Sequence, residues 1–358
     1  MSIVLDETSR KVVNATLAFK PDVAALYPTM MGFRSNAGIT VCHWFDSRNF
    51  GIEPGCDGVS FDKTVMGMAS RSSGDVIIDL DAGEATVDGM HVRFGKAPAD
   101  VDVVSVSDGF TVNGRVVADA LATAAKFASH RANTFGVRVE VKKGNLFVSA
   151  TEGHFAYRSH TGQLIENHEG SPVILTPRVA VAASRVLPLA PTWYMTLGDD
   201  KIKVWSDQTA VLLHGCYLSS PDLDKLQRGE RKVLASIRTG EWLDRLNFVS
   251  GASGGSVPVL VEAEMTGEHV SVDFECRFDF TSSVESATFT ANADVKEPFS
   301  MYVSLKLLIA CLASVGEVAD IVCYSESSSN VLSFVGENET YIAQMERRDE
   351  TKIGQVSH

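Results

Sequence analysis

The sequence predicts an α+β fold made of three similar domains, each with two helices packed on one face of an antiparallel sheet. Three observations lead there. A chain of 358 residues is too long for one ordinary core and suits two or three. An amphipathic helix, a strand pair, a short capped helix and a second strand pair recur in that order three times. The recurrence spans about 115 to 130 residues from cap to cap, the size of a domain and not of a solenoid unit. The boundaries expected are 1–107, 108–228 and 229–348, followed by a polar tail over 349–358. Linkers are expected near Ser105–Asp108 and Gln227–Glu230.

In the first repeat SRKVVNATLAFK reads as one helix and SFDKTVMGMASRSSG as the other, capped by Asp62. The methionines of the second helix, Met66 and Met68, read as core filling. The middle repeat is clearer. FTVNGRVVADALATAAKFASH places Val117, Ala120, Leu121, Ala124 and Ala128 on one helical face, with Arg115, Asp119, Lys126 and Ser129 on the other. VRVEVKKGNLFVSAT then alternates as a strand, turns at Lys143-Gly144-Asn145 and resumes, a hairpin signature. In VILTPRVAVAASRVLP, Thr176 is a natural cap and Pro177 a natural first residue, so a helix should begin there and stop before Pro188.

The third repeat offers IRTGEWLDRLNFVSG and MYVSLKLLIACLASVG as helices, the latter capped by Ser304 and stopped by Gly316. A hairpin is expected between them around Thr266-Gly267. Each repeat ends in a strand, a polar turn and a strand.

Composition narrows the function classes. The N-terminus lacks the basic, apolar and small-residue regions of a secretory signal, and no apolar run approaches the roughly 20 residues that span a bilayer. A soluble, cytoplasmic protein with no membrane partner is expected. Six cysteines form no CxxC pair and lie mostly in apolar stretches, so they read as buried hydrophobes in a reducing compartment. No metal or other cofactor is expected.

A formal net charge of -13 argues against coating nucleic acid with the whole surface. A local basic face stays open, because cations recur on the helices of all three repeats. They are Arg10, Lys11, Lys20, Lys63 and Arg71; Arg115, Lys126, Arg131, Arg178 and Arg185; and Arg238, Arg245 and Lys306. Arg178 and Arg185 are seven residues apart, on one face of their helix. Any one of them could be an ordinary solvated side chain; the recurrence favours phosphate contacts that are sequence-independent and weakened by salt.

The stretch Thr151-Glu152-Gly153-His154 poses the catalytic question, with an acid, a glycine and a histidine together. Catalysis needs a nucleophile or a metal partner at a supporting spacing, and the chain has no HExxH, GxSxG or phosphate-binding glycine loop. Taken alone, Gly153 makes a turn and His154 bonds locally.

Three segments give the chain a resemblance to the bacterial DNA polymerase III beta subunit, the sliding clamp family. Thr151-Glu152-Gly153-His154-Phe155-Ala156 resembles the family's T-D-G-H-R-L turn. Tyr341 to Arg348 resembles its closing Y-x-x-M-P-M-R-L strand, and His214-Gly215 followed by Ser220-Pro221-Asp222-Leu223 resembles its D-G-x-F-P-D-Y segment. The resemblance covers nearly the whole chain, loosely in the first repeat, and rests on the order and spacing of these segments.

It implies the DNA clamp fold: three clamp-like domains per chain, assembled as a head-to-tail homodimer that closes a ring around double-stranded DNA. It also implies a non-catalytic processivity factor that tethers DNA polymerase and the clamp loader through short peptide motifs. Carried over by position, the peptide pocket between the second and third domains would use Thr134, Thr151, Gly153, His154, Phe155, Pro221, Lys225 and Leu226, with Ile342, Ala343, Gln344 and Met345 on the last strand. The Thr151–His154 cluster then serves recognition.

Departures are visible. Phe155 and Ala156 stand where the family has a basic and an aliphatic residue, Gln344-Met345-Glu346 replaces M-P-M, and a tail follows Arg348. Glu346 beside the pocket would disfavour acidic peptides. Such departures suit a specialised or phage-encoded clamp. Two rival readings are an enzyme on this scaffold using His154 with Glu152 or Asp222, and a repeat protein that binds a protein partner without encircling DNA.

Overall fold

The structure, a computed structural model, describes residues 2–128, 135–151, 155–165, 171–218, 220, 222–253, 258–263, 271–280, 283–313, 315–326, 331–337 and 339–344. It is α+β. The chain divides into two compact units, residues 1–148 with 161–220 and residues 149–160 with 221–358. The six α-helices among the described residues are α1 Glu7–Leu17, α2 Lys63–Ala69, α3 Gly114–Phe127, α4 Pro177–Val186, α5 Thr239–Ser253 and α6 Leu305–Leu312.

Local chemistry sets the ends of the first four helices. The carboxylates of Asp6 and Asp62 accept from the Ser9 and Thr64 backbone N–H groups, 2.7 and 2.8 Å away, and so cap α1 and α2. Asn113 does the same for α3, accepting from Arg115 and Val116. The Thr176 hydroxyl accepts from Val179 N–H at 3.2 Å with Pro177 in the first position, and α4 ends at Val186, before Pro188. The face expected on α3 is buried: Val117, Ala120, Leu121, Ala124 and Ala128.

The first unit contains two antiparallel sheets and a further group of three strands, Val173–Leu175, Val137–Lys142 and Asn145–Thr151. One has four strands in the order Ser2–Leu5, Val76–Asp79, Glu84–Val87, Met90–Arg93. The other has eight: Val59–Ser60, Val23–Leu26, Met30–Ser35, Ile39–Trp44, Thr209–His214, Lys201–Trp205, Thr192–Gly198 and Phe110–Asn113. Its centre joins strands far apart in sequence, with Ile39 opposite Leu213 and His43 opposite Thr209. The expected hairpin at Val137–Lys142 and Asn145–Thr151 turns through Lys143 and Gly144, both at positive φ as a primed turn requires.

All six residues of Ile39–Trp44 are buried, because both faces of this strand are covered. On the helical side His43 is held between the Ser9 hydroxyl of α1, 3.1 Å from Nε2, and the Thr209 hydroxyl, 2.9 Å from Nδ1. Burial pushes the His43 pKa down to about 4, against a smaller pull from the Asp6 carboxylate. On the other side Cys42 and Trp44 pack with Tyr27, Val101 and Val104.

Val101 and Val104 lie just before the linker expected at Ser105–Asp108, in a segment that is strapped across the sheet. The Tyr27 hydroxyl donates to Asp100 Oδ1 at 2.6 Å and accepts from Val101 N–H at 2.8 Å. Gly58 is required where the strap crosses, since a Cβ there would come within 2.4 Å of the Ala99 carbonyl oxygen.

The second unit is one antiparallel sheet with α5 and α6. Beginning with residues 155–160, its strands run Glu339–Gln344, Val331–Val335, Val318–Tyr324, Arg231–Arg238, Ser283–Val295, Ser271–Phe280, Pro258–Ala263 and Phe299–Ser304. The hairpin expected around Thr266-Gly267 forms, with Ala263 opposite Val272, although its turn lies outside the described residues. Helix α5 buries Trp242, Leu246 and Val249, and α6 buries Leu305, Leu308, Cys311 and Leu312. The Thr239 hydroxyl donates to the carbonyl of Gly316, which has the positive φ expected of a stop. Three details correct the sequence reading. Arg238 is the last residue of a strand and not part of α5, Lys20 and Arg71 lie beyond the ends of α1 and α2, and Cys56 is exposed, unlike the buried Cys42 and Cys311.

Candidate functional site

The expected basic residues divide into those that the fold occupies and those that it leaves at the surface. Arg10 is half-buried, and its Nη1 donates to the carbonyls of Ser72 at 2.7 Å and Gly74 at 2.9 Å, tying α1 to the segment after α2. Lys11 pairs with Glu7 one turn back, 2.6 Å apart. Lys63 and Arg71 are exposed and line a shallow groove together with Met68 and Met90. Arg115, Lys126, Arg178 and Arg185 are exposed on α3 and α4, which pack against each other. In the second unit Arg238, Arg245 and Lys306 are exposed. Arg131 lies outside the described residues.

Four cations converge in the first unit. Lys20, Lys126, Arg178 and Arg185 line one groove of about 1270 Å³ where the end of α1 meets α3 and α4, and no carboxylate is among its described lining residues. Between the cations the groove is apolar, with Ala122, Ala125, Val181 and Ala182 from the two packed helices. The Asp22 carboxylate accepts from Asn36 N–H at 2.6 Å, which holds its pKa below the usual range, with Arg178 and Lys63 adding to the effect. Such a surface gathers anions.

Sequence reasoning did not find Tyr217. It is fully exposed at 101% and lies on the same groove with Phe135 and Leu218. The visible signal was a lone aromatic residue in the run between His214 and Pro221.

The expected peptide residues fall largely within the second unit. Phe155 pairs with Ala343, and Ala156 with Ile342, although these segments lie at opposite ends of the unit's sequence. The next strand continues the register, with Leu332 opposite Ala343 and Val331 opposite Gln344. A 3₁₀ turn at Leu223–Leu226 carries Lys225, which is exposed, and Leu226, which packs half-buried on the cluster of Ala156, Leu223 and Val331.

The Asp222 carboxylate accepts from Asp224 N–H at 3.1 Å and caps that turn. Arg158 Nη1 lies 2.5 Å from Asp224 Oδ1 and fastens the turn to the strand. Beneath, the buried rings of Tyr157 and Tyr341 meet at 5.1 Å. Thr151 is buried at 5%. Thr134, Gly153, His154, Pro221 and Met345 lie outside the described residues, as do Glu152, Glu346 and the tail. The described residues gather no group of three or more His, Cys, Asp or Glu side chains able to hold a metal ion. None of the helices described is long and apolar enough to cross a membrane.

No protein-family model and no curated protein matches the sequence. Solved structures do match. The DNA polymerase III beta subunit from Thermotoga maritima has a TM-score of 0.75 at 12% identity, covering 97% of this chain and 99% of that one. The DNA polymerase sliding clamp from Pseudomonas aeruginosa, solved with a ligand, has a TM-score of 0.75 at 13% identity, with 97% and 99% covered. The Caulobacter crescentus pol III beta has a TM-score of 0.73 at 14% identity, with 97% and 100% covered. With its helices, its antiparallel sheets and nearly its full length matched, this chain has the fold of the DNA polymerase III beta-subunit sliding clamps.

Proposed function

We propose that the protein is a DNA sliding clamp, a non-catalytic ring that encircles duplex DNA and tethers DNA polymerase and other replication or repair proteins. The observation that carries this reading is the groove of four cations with no carboxylate among its described lining residues, on a chain of net charge -13 that has the clamp fold. Concentrating positive charge on helices while the rest of the molecule is acidic suits a protein that tracks phosphates without reading sequence. Its place of work is the cytoplasm, where the DNA is.

In this reading the chain has three domains, 1–107, 108–228 and 229–348, and two copies close head to tail. The open edges support such pairing: Met90–Arg93 ends the four-stranded sheet of the first unit, and Phe299–Ser304 ends the sheet of the second. Joining the two edges across copies satisfies both rows of free backbone groups. The surface around Phe155, Leu226, Ile342 and Ala343 is the docking site for the peptide motifs of the polymerase and the clamp loader. Its support is that cross-strand pairing places Phe155 beside Ala343, and that the apolar cluster carries Leu226.

The test is retention on singly nicked circular DNA against the same DNA linearised, at moderate salt and with an active loader or enough protein for spontaneous opening. Retention on circles that is lost on linearisation is the expected result. Equal retention on both, or none on either, would leave a partner-binding repeat protein as the better account.

A further inference from the structure

We infer that the groove where α1, α3 and α4 meet binds single-stranded nucleic acid, with an unpaired base stacked on Tyr217. This goes beyond encircling a duplex and does not need a closed ring. Two features of the groove separate it from a surface that only meets backbone phosphates.

The first is Tyr217. Its ring is 101% exposed on the groove that Lys20, Lys126, Arg178 and Arg185 line. A fully exposed aromatic side chain has no packing task in the fold. In a duplex the base faces are covered by their neighbours, so a ring beside a duplex finds only sugar and phosphate. An unpaired strand offers free faces, and a positively charged groove with aromatic platforms is the arrangement that holds single strands without regard to sequence.

The second is the character and size of the groove. Phe135, Leu218 and half-exposed Val181 make its wall apolar, which duplex phosphates have no use for and unpaired bases do. Its volume of about 1270 Å³ exceeds the roughly 300–1,000 Å³ of an ordinary small-molecule site, as a polymer segment requires. The absence of carboxylates among its described lining residues makes the occupant an anion.

The experiment uses the full chain and a short fluorescent oligothymidylate, with a blunt linear duplex of equal length as the comparison, by anisotropy at low salt. Expected is tighter binding of the single strand. Tyr217→Ala should weaken it about tenfold and leave the duplex unchanged, while Tyr217→Phe should retain it. Arg178→Gln with Arg185→Gln should weaken both ligands. Because Tyr217 is exposed, its removal should leave the thermal melt unchanged, which separates loss of binding from loss of fold. Three results would overturn the inference: no measurable binding of oligothymidylate by the wild type, equal binding of it by the wild type and Tyr217→Ala, or an equal loss on the duplex. Linear oligonucleotides do not report ring closure, so a failure here is distinct from a failure to be retained on circular DNA.

Discussion

Arg158 and Asp224 lie 2.5 Å apart, and this contact fastens the 3₁₀ turn carrying Lys225 and Leu226 to the strand that pairs with Glu339–Gln344. Arg158 is mostly buried at 15% exposure, and Asp224 is more open at 39%. Asp224→Ala should cost about 1–2 kcal/mol in chemical denaturation, a value kept small because solvent screens the carboxylate. It should also loosen the turn. Unchanged stability and unchanged protease resistance near Leu226 would show that the pair does not fasten it.

Leu226→Asp should impair peptide docking without touching DNA. It sets a charge against Ala156, Leu223 and Val331, so polymerase-derived peptides should bind at least tenfold more weakly by calorimetry. Retention on circular DNA should persist. Loss of both together would point to a folding defect.

The four cations predict a salt dependence. Replacing Arg178 and Arg185 with Glu should weaken DNA binding, and the slope of log affinity against log salt should shrink by about 2 if each arginine neutralises one phosphate. The same slope in wild type and variant would remove these arginines from the DNA surface.

His43 predicts an acid limb in the stability profile. Its pKa is about 4 in the folded state against 6.5 for the free side chain, so the unfolded chain binds the proton more readily between those values. Stability is therefore full above about pH 6.5 and falls as the pH drops toward 4, by on the order of 3 kcal/mol. Melts across that range check this, and His43→Gln should flatten the limb. An equal slope in the variant would assign the acid sensitivity to other groups.

Tyr27→Phe tests the strap. The change removes one hydroxyl that both donates to Asp100 and accepts from Val101 N–H, leaving that buried N–H without its partner. A cost of about 1–3 kcal/mol is expected, with faster hydrogen exchange at Val101. Wild-type exchange there would mean that the packing of Val101 and Val104 suffices.

The sequence revealed what nearest neighbours decide. Asp62, and Thr176 with Pro177, announce helix starts, and Lys143-Gly144 announces a hairpin, because each satisfies its own backbone within a few residues. Arg10, His43 and Val101 were opaque for the opposite reason. Arg10 is spent on the carbonyls of Ser72 and Gly74, His43 on a strand far along the chain, and Val101 on a sheet face that needs a cover. The repeat pattern put a linker at Ser105–Asp108, and only the packed sheet shows how much of the preceding segment is core. The matching motifs assigned Phe155 and Ala343 to one expected site, and the structure pairs their strands, whereas the 3₁₀ turn has too little periodicity to be read. Tyr217 went unnoticed because a single aromatic in a loop has no pattern, and only the groove gives it a context.

The pairing of Ile39–Trp44 with Thr209–His214 has a consequence for dissecting the molecule. An excised fragment 1–107 would keep its helices and lose the partner of a strand whose six residues are all buried. It would then expose a flat apolar border with unsatisfied backbone groups, and fragments of this kind self-associate. Residues 1–148 and 161–220 form one compact unit, so a single chain spanning 1–220 should be more soluble than 1–107, and limited digestion should spare the junction near Val101 and Val104.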